Sequence, residues 1–191
     1  MSMQIDTLPF PLTGRLLVAM PGVADDVFKR GVILICAHSR RGAMGVLLNR
    51  LLPPELRSDV RVDRNFAGTP SWQSYRSGGP AGQDTAQYLH NAEKPLGSQT
   101  IQVARGLNLT PVGKAPAILS PSERPTRVLL ASGHCGWAAG QVEDELRANV
   151  WLTSWATTEF VFHCPPKQMW RDALGLMGVS PSGLSTEVGH A

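Results

Sequence analysis

The stretch Gly133-His134-Cys135-Gly136-Trp137-Ala138-Ala139-Gly140-Gln141-Val142-Glu143-Asp144-Glu145-Leu146 sets a glycine-punctuated turn, a lone tryptophan and an acidic helix start side by side. Just upstream, Arg127-Val128-Leu129-Leu130-Ala131-Ser132 is a short apolar run of the kind a buried strand makes. Downstream, Val142, Leu146 and Val150 fall near helical spacing, and acidic residues crowd the first turn, where the helix dipole favours them. The block reads as strand, tight glycine turn, helix, the helix running from about Gly140 to Asn149 with Val142 and Leu146 inward. A turn at the mouth of a sheet is where such a domain places a ligand or a nucleophile.

Outward from this block, Arg15 to Met20 and Val32 to Ala37 are apolar runs of strand length, too continuous for half-exposed strands. Between them Pro21-Gly22 turns the chain, and Asp25 to Phe28 fits one capped turn. Ser39-Arg40-Arg41-Gly42 is a tight turn into Ala43 to Leu48, a hairpin in which Gly45 marks a close backbone approach or a bulge. Further strands are expected at Trp72 to Arg76, Gln87 to Leu89, Thr100 to Ala104 and Glu159 to His163. A helix with proline at its first position is expected from Pro166 to Leu174. Strands outnumber helices, and the early gaps are too short for regular crossovers. The expectation is an α+β fold: a mixed, mostly antiparallel sheet curled toward a barrel, with helices outside.

At 191 residues, 42% hydrophobic and 17% charged, the chain has the makings of one ordinary globular domain. No apolar run approaches a membrane span, and the N-terminus lacks the basic flank and apolar run of a signal peptide, so a cytoplasmic protein is expected. Cys36, Cys135 and Cys164 have neither disulfide nor zinc spacing. The net charge of +3 is slight for a nucleic-acid binder, and between Arg57 and Arg64 the arginines alternate with aspartates that cancel them. No helix-turn-helix pattern is present, so direct nucleic-acid binding is not expected.

The chemistry-bearing residues each have two readings. His134-Cys135 is a nucleophile pair or a buried piece of turn. Gly78-Gly79-Pro80 is an anion-holding nest, near His38, Arg40 and Arg41, or a plain turn. His38 and His90 with Asp25 and Glu143 could ligate a metal, yet no local spacing supports that and carbonyl partners suffice. Asp25 and Glu143 serve as an acid–base pair, or as a turn cap and a dipole partner. Trp151 and Trp155, four apart, form an aromatic patch on helix or strand alike.

Gly136-Trp137-x-x-Gly140-Gln141-x-Glu143 resembles the signature of the YqgE/AlgH family of small bacterial proteins. Other stretches match it in order: Ala19-Met20-Pro21 with Asp25 and Phe28, His38, Gly42-Ala43-Met44-Gly45, Asn49-Arg50, Gly78-Gly79-Pro80, Leu89-His90 and Gly189-His190-Ala191. The resemblance spans residues 14 to 191 and implies one domain over 1–191, with 1–13 an extension, and a flattened-barrel sheet. It also implies helical sequence near Leu107 to Ser120, which Pro111 and Pro116 would make short or irregular. The family has no established activity. His134-Cys135 replaces its usual Tyr and small residue, Ala37 its usual Glu, and Thr85 its usual Arg.

The expected function is a non-catalytic binding or regulatory protein with a small-molecule or anion pocket and room for a protein partner. The pocket would be built from Asp25, His38, Asn49, Gly78, Gly79, His90, Gly136, Trp137, Gln141 and Glu143, gathered where strands end together. No metal or cofactor is expected. A hydrolase or transferase using the same pocket and an AlgH-like transcriptional regulator are the alternatives.

Overall fold

The computed structural model describes residues 11–60, 74–114 and 119–180. The extension before residue 11, Arg61 to Arg64, Trp72, Pro116 and Gly189-His190-Ala191 lie outside them. Strands β1 (Arg15–Ala19) and β2 (Val32–Ser39) are buried on both faces, as their unbroken apolar runs require. Leu16, Val18, Val32, Leu34 and Cys36 enter one core, while Leu17, Ala19, Ile33 and Ile35 enter another. β3 (Gly42–Leu47) returns as the expected hairpin. Its Gly45 permits a close approach, since a Cβ there would lie 2.7 Å from Ile33 Cγ2. The pairing with β2 shifts register between Ile35 and Ala37.

The chain continues through β4 (Tyr75–Ser77), β5 (Ala81–His90), β6 (Ile101–Ala104), β7 (Leu107–Pro111) and β8 (Val128–Ala138). Then come α1 (Gln141–Arg147), β9 (Trp151–Trp155), α2 (Thr158–His163) and α3 (Pro166–Leu176). The described strands form one nine-stranded sheet in the order β6-β7-β5-β8-β3-β2-β1-β9, with β4 on the side of β8. Every pairing of named strands is antiparallel except β4 with β8, so the sheet is mixed and mostly antiparallel, as expected.

The hinge of this sheet is Gly133. Sequence reading ends the strand at Ser132 and turns at the glycines; the structure runs one strand from Val128 to Ala138. Gly133 has φ +74, and a Cβ there would meet Gly79 O at 2.5 Å. The residue slips the alternation by one. Before it, Leu129 and Ala131 point into the core that holds Leu16; after it, Cys135 and Trp137, of the same parity, point into the other core. The amino-terminal half of β8 pairs with β5 and the carboxyl-terminal half with β3, so the sheet doubles over around the first core. Phe160 and Val161 of α2 and Met169, Ala173 and Leu174 of α3 fill that core. β6 lies against β2, but among the described residues no strand pairing joins the end strands β6 and β9. Closure into a flattened barrel is therefore not seen among the described residues.

Two expectations are corrected. Glu159 to His163 is helical, because Thr157 caps it by accepting from the Phe160 N–H at 3.1 Å and helical spacing carries Phe160 and Val161 into the core. Leu107 to Pro111 is a strand and not an irregular helix, with Pro111 tolerated at its end. α1 buries Val142 fully and exposes Asp144 and Arg147, while Leu146, expected inward, is half-buried against the same core. No helix among the described residues is long and apolar enough to cross a membrane.

Candidate functional site

The ten residues singled out from sequence fall in separate places. The first is a corner where β2, β3 and β8 end under α1. Ala43 pairs with both His38 and Trp137, and Gly136 sits opposite Met44. The Leu12 N–H donates to His38 Nδ1 at 3.0 Å, which leaves the ring proton on Nε2, and Nε2 donates to Glu143 Oε1 at 2.9 Å. Gln141 accepts from the Ala138 N–H at 3.0 Å and donates to Glu145 Oε1 at 2.9 Å. Glu145, which sequence reading passed over, accepts both the Trp137 and the Trp151 indole N–H. The signal was present in its spacing from Gln141, one helical turn earlier. Most of the polar groups in this corner are spent on one another.

The second place is the joint of β8. The Gly78 N–H donates to Ser132 O at 2.7 Å, and Gly78 O accepts from the Leu47 N–H at 2.8 Å. Gly79 has φ +151, and a Cβ there would lie 2.2 Å from the His134 carbonyl carbon. The glycine pair lets backbone pass over backbone. Cys135, beneath it, donates to Gly78 O at 3.5 Å and is buried, and burial pushes its thiol up to about 12. No thiolate nucleophile forms at such a site.

The third is the end of β5, where His90 is wholly buried and bonds Thr110 Oγ1 at 2.9 Å. His90 pairs with Val128 at the start of β8, whereas Trp137 lies near the end of the same strand. Asp25 stays local, its Oδ1 accepting from the Val27 and Phe28 N–H groups as a turn cap. Asn49 braces the opposite end of β2 from His38: its Oδ1 accepts from the Val32 N–H at 3.0 Å and its Nδ2 donates to Arg30 O at 2.8 Å. The expected gathering at one end of the sheet does not occur. Among the described residues no three His, Cys, Asp or Glu side chains group to hold a metal.

Asn49 does, however, border a cavity of about 340 Å³, lined also by Arg30, Arg50, Pro166, Lys167, Trp170 and Arg171. Its floor is braced. Arg50 donates to Lys29 O, and Trp170 donates its indole N–H to Ala19 O at 2.7 Å. The Arg30 guanidinium carbon stands 5.4 Å from the Trp170 ring centroid. Among the described residues the lining holds four cations and no carboxylate, and none of the four makes an ion pair. Arg50 follows Asn49 in the sequence, but only the fold brings α3 beside them.

A family model described as AlgH-like matches residues 16–182. A UPF0301 protein of Photobacterium profundum is 37% identical over 188 residues, which cover 94% of this chain and 99% of the relative. One of Ralstonia pickettii is 37% identical over 182 residues, 94% of this chain and 95% of its own. The solution structure of the AlgH protein from Pseudomonas aeruginosa is similar with a TM-score of 0.68 and 30% identity, covering 100% of both chains. A crystal structure from Corynebacterium diphtheriae shares the fold with a TM-score of 0.69 at 22% identity, over 90% of this chain and 93% of that one. The motifs running in order from Ala19 to Glu143 and these matches over nearly the whole length agree, and the chain belongs to the AlgH-like family.

Proposed function

We propose that this chain is a non-catalytic, cytoplasmic binding protein that takes a small anionic ligand in the cavity between the end of β3 and the start of α3. The observation that carries the reading is a pocket lined by Arg30, Arg50, Lys167 and Arg171 without one acidic neighbour in the lining among the described residues. Unbalanced like charges around one concavity repel, and an anion relieves that repulsion. Three free cysteines, two of them buried, suit a reducing compartment. The polar groups that an enzyme would need are dispersed: His90 and Cys135 are buried apart, and Asp25 caps its own turn.

The test is thermal unfolding with rising phosphate or sulfate against potassium chloride of equal ionic strength. A saturating rise is expected, roughly 2.7 kcal/mol at about a hundred times the dissociation constant. It should vanish in Lys167→Gln/Arg171→Gln. Curves identical to the chloride control would overturn the proposal.

One observation favours the hydrolase or transferase reading. Glu143 Oε2 is buried and has no partner among the described residues, while Oε1 holds His38. If that oxygen served as a base, Glu143→Gln would abolish a reaction while leaving anion binding intact.

A further inference from the structure

The cavity has two walls from distant parts of the chain. Arg30, Asn49 and Arg50 form the sheet wall, and Lys167, Trp170 and Arg171 form the helix wall. The helix wall breaks two local rules. Lys167 stands in the first turn of α3, where the dipole is already positive and no acidic residue offsets it. Arg171 follows four residues later on the same face, a like-charged pair of the kind that destabilises a helix. Rules broken without local compensation mark functional positions.

The donor set narrows the ligand. The Asn49 amide has one lone pair engaged by the Val32 N–H and one N–H engaged by Arg30 O. The four cations recognise by charge, and the three arginines also by the fork geometry of guanidinium, which matches oxyanions with several peripheral oxygens. A singly charged group would leave most of the fourfold positive lining unbalanced. The Trp170 ring, fixed through Ala19 and with the Arg30 guanidinium carbon 5.4 Å from its centroid, lines the same cavity and supplies its aromatic carbon surface. A cavity of about 340 Å³ accommodates a small molecule. A polynucleotide would need an open basic stripe.

Resting on the anion reading above, we infer that the ligand is a small phosphate monoester, its dianionic phosphoryl group gripped between Arg30 and Arg50 on one wall and Lys167 and Arg171 on the other. The ester carbon lies toward Trp170, and bound ligand ties α3 to the end of the sheet.

Isothermal titration with glycerol phosphate from about pH 5 to about pH 7.5 tests this, because a phosphate monoester loses its second proton near ~6. Among the described residues the charged lining groups are Arg30, Arg50, Lys167 and Arg171, with no carboxylate or imidazole, so a pH response in that range belongs to the ligand. Glycerol phosphate should bind roughly tenfold more tightly at the upper pH, following its dianion fraction. Methyl sulfate, a monoanion throughout, should bind weakly and without pH dependence. Inorganic phosphate should bind more weakly than the ester, lacking the group that meets Trp170; equal affinity would overturn the ester assignment. Lys167→Gln/Arg171→Gln, both exposed positions, should abolish binding in every arm with the fold retained. Methyl sulfate binding as tightly as glycerol phosphate would overturn the phosphate inference and leave the anion reading standing. Absence of binding in all arms would remove both, and tighter binding of oligothymidylate would replace them with a nucleic-acid surface.

Discussion

Trp137 on β8 and Trp151 on β9 donate their indole N–H groups to one and the same oxygen, Oε2 of Glu145, at 2.8 and 2.7 Å. The two strands are not neighbours; β3, β2 and β1 lie between them in the sheet. α1 crosses that span, and Glu145 holds it down at both ends. Trp151 is braced further by the edge of Phe28, with ring centroids 5.9 Å apart.

Glu145→Ala should therefore cost about 2–4 kcal/mol, since two indole donors of buried tryptophans lose a charged acceptor at once. Glu145→Gln, which keeps one carbonyl oxygen, should cost less. Chemical denaturation measures both. A loss below about 0.5 kcal/mol in the alanine variant would mean that water serves the indoles equally well.

Glycines that look alike in sequence should behave in opposite ways. Gly79 has φ +151 and its missing Cβ would overlap the His134 backbone at 2.2 Å. Gly79→Ala should cost several kcal/mol, of order 3, or prevent folding. Gly136 has no positive φ and nothing within 4 Å of a Cβ. Gly136→Ala should leave stability within about 0.5 kcal/mol, and a loss of ligand binding there would show that the open side of Gly136 is used for contact. Melting curves of the pair decide it.

His90 gives the fold an acid limb. Burial pushes its pKa down to about 4 from 6.5, so the unfolded chain holds the extra proton throughout the interval between them. Its share of stability is complete above about pH 6.5 and is lost as the pH falls toward about 4, amounting to roughly 3 kcal/mol. His90→Gln should lose that dependence and show a flatter acid limb in denaturant midpoints from about pH 7 to about pH 4. An unchanged limb would place the acid sensitivity on the carboxylates.

Much of the fold was readable because burial leaves a trace in composition. The runs at Leu16 to Ala19 and Val32 to Cys36 lack polar breaks because both faces of these strands meet a core. The Pro166 helix was readable from its proline and its spacing. Gly133 misled because a left-handed glycine serves a turn and a strand slip equally, and only the neighbouring backbone at Gly79 decides between them. Phe160 and Val161 misled because β-branched and aromatic residues favour strands until a cap at Thr157 and a core contact outweigh propensity. The motif turns were legible one at a time, but not their dispersal to opposite ends of β2 and β8. The basic cavity was invisible, since Arg50 and Arg171 meet only through long-range packing.

Cys135 should be inert. It is buried under Gly78, and burial pushes its thiol up to about 12. Iodoacetamide near neutral pH should leave it unmodified in the native protein and label it only after unfolding, as mass spectrometry of digested samples will show. Cys135→Ala should retain the fold at a cost of about 1–2 kcal/mol for the small void. Rapid native labelling that is lost in His134→Ala would restore a nucleophile at this turn.

Removing the helix-wall cations should separate stability from binding. Lys167 opposes the dipole of α3 and Arg171 repels it from four residues on, and both side chains belong to exposed residues. Without ligand, Lys167→Gln/Arg171→Gln should be as stable as the natural chain or more so, by a few tenths of a kcal/mol up to about 1. The gain should be largest at low ionic strength and fade above about 0.5 M salt, where such interactions are screened. A cation kept only for packing would instead lose stability on truncation, because its methylene stem covers apolar surface. Stability that falls in the double variant at low salt would therefore assign these side chains to the fold, and stability that rises while anion binding disappears would assign them to the ligand.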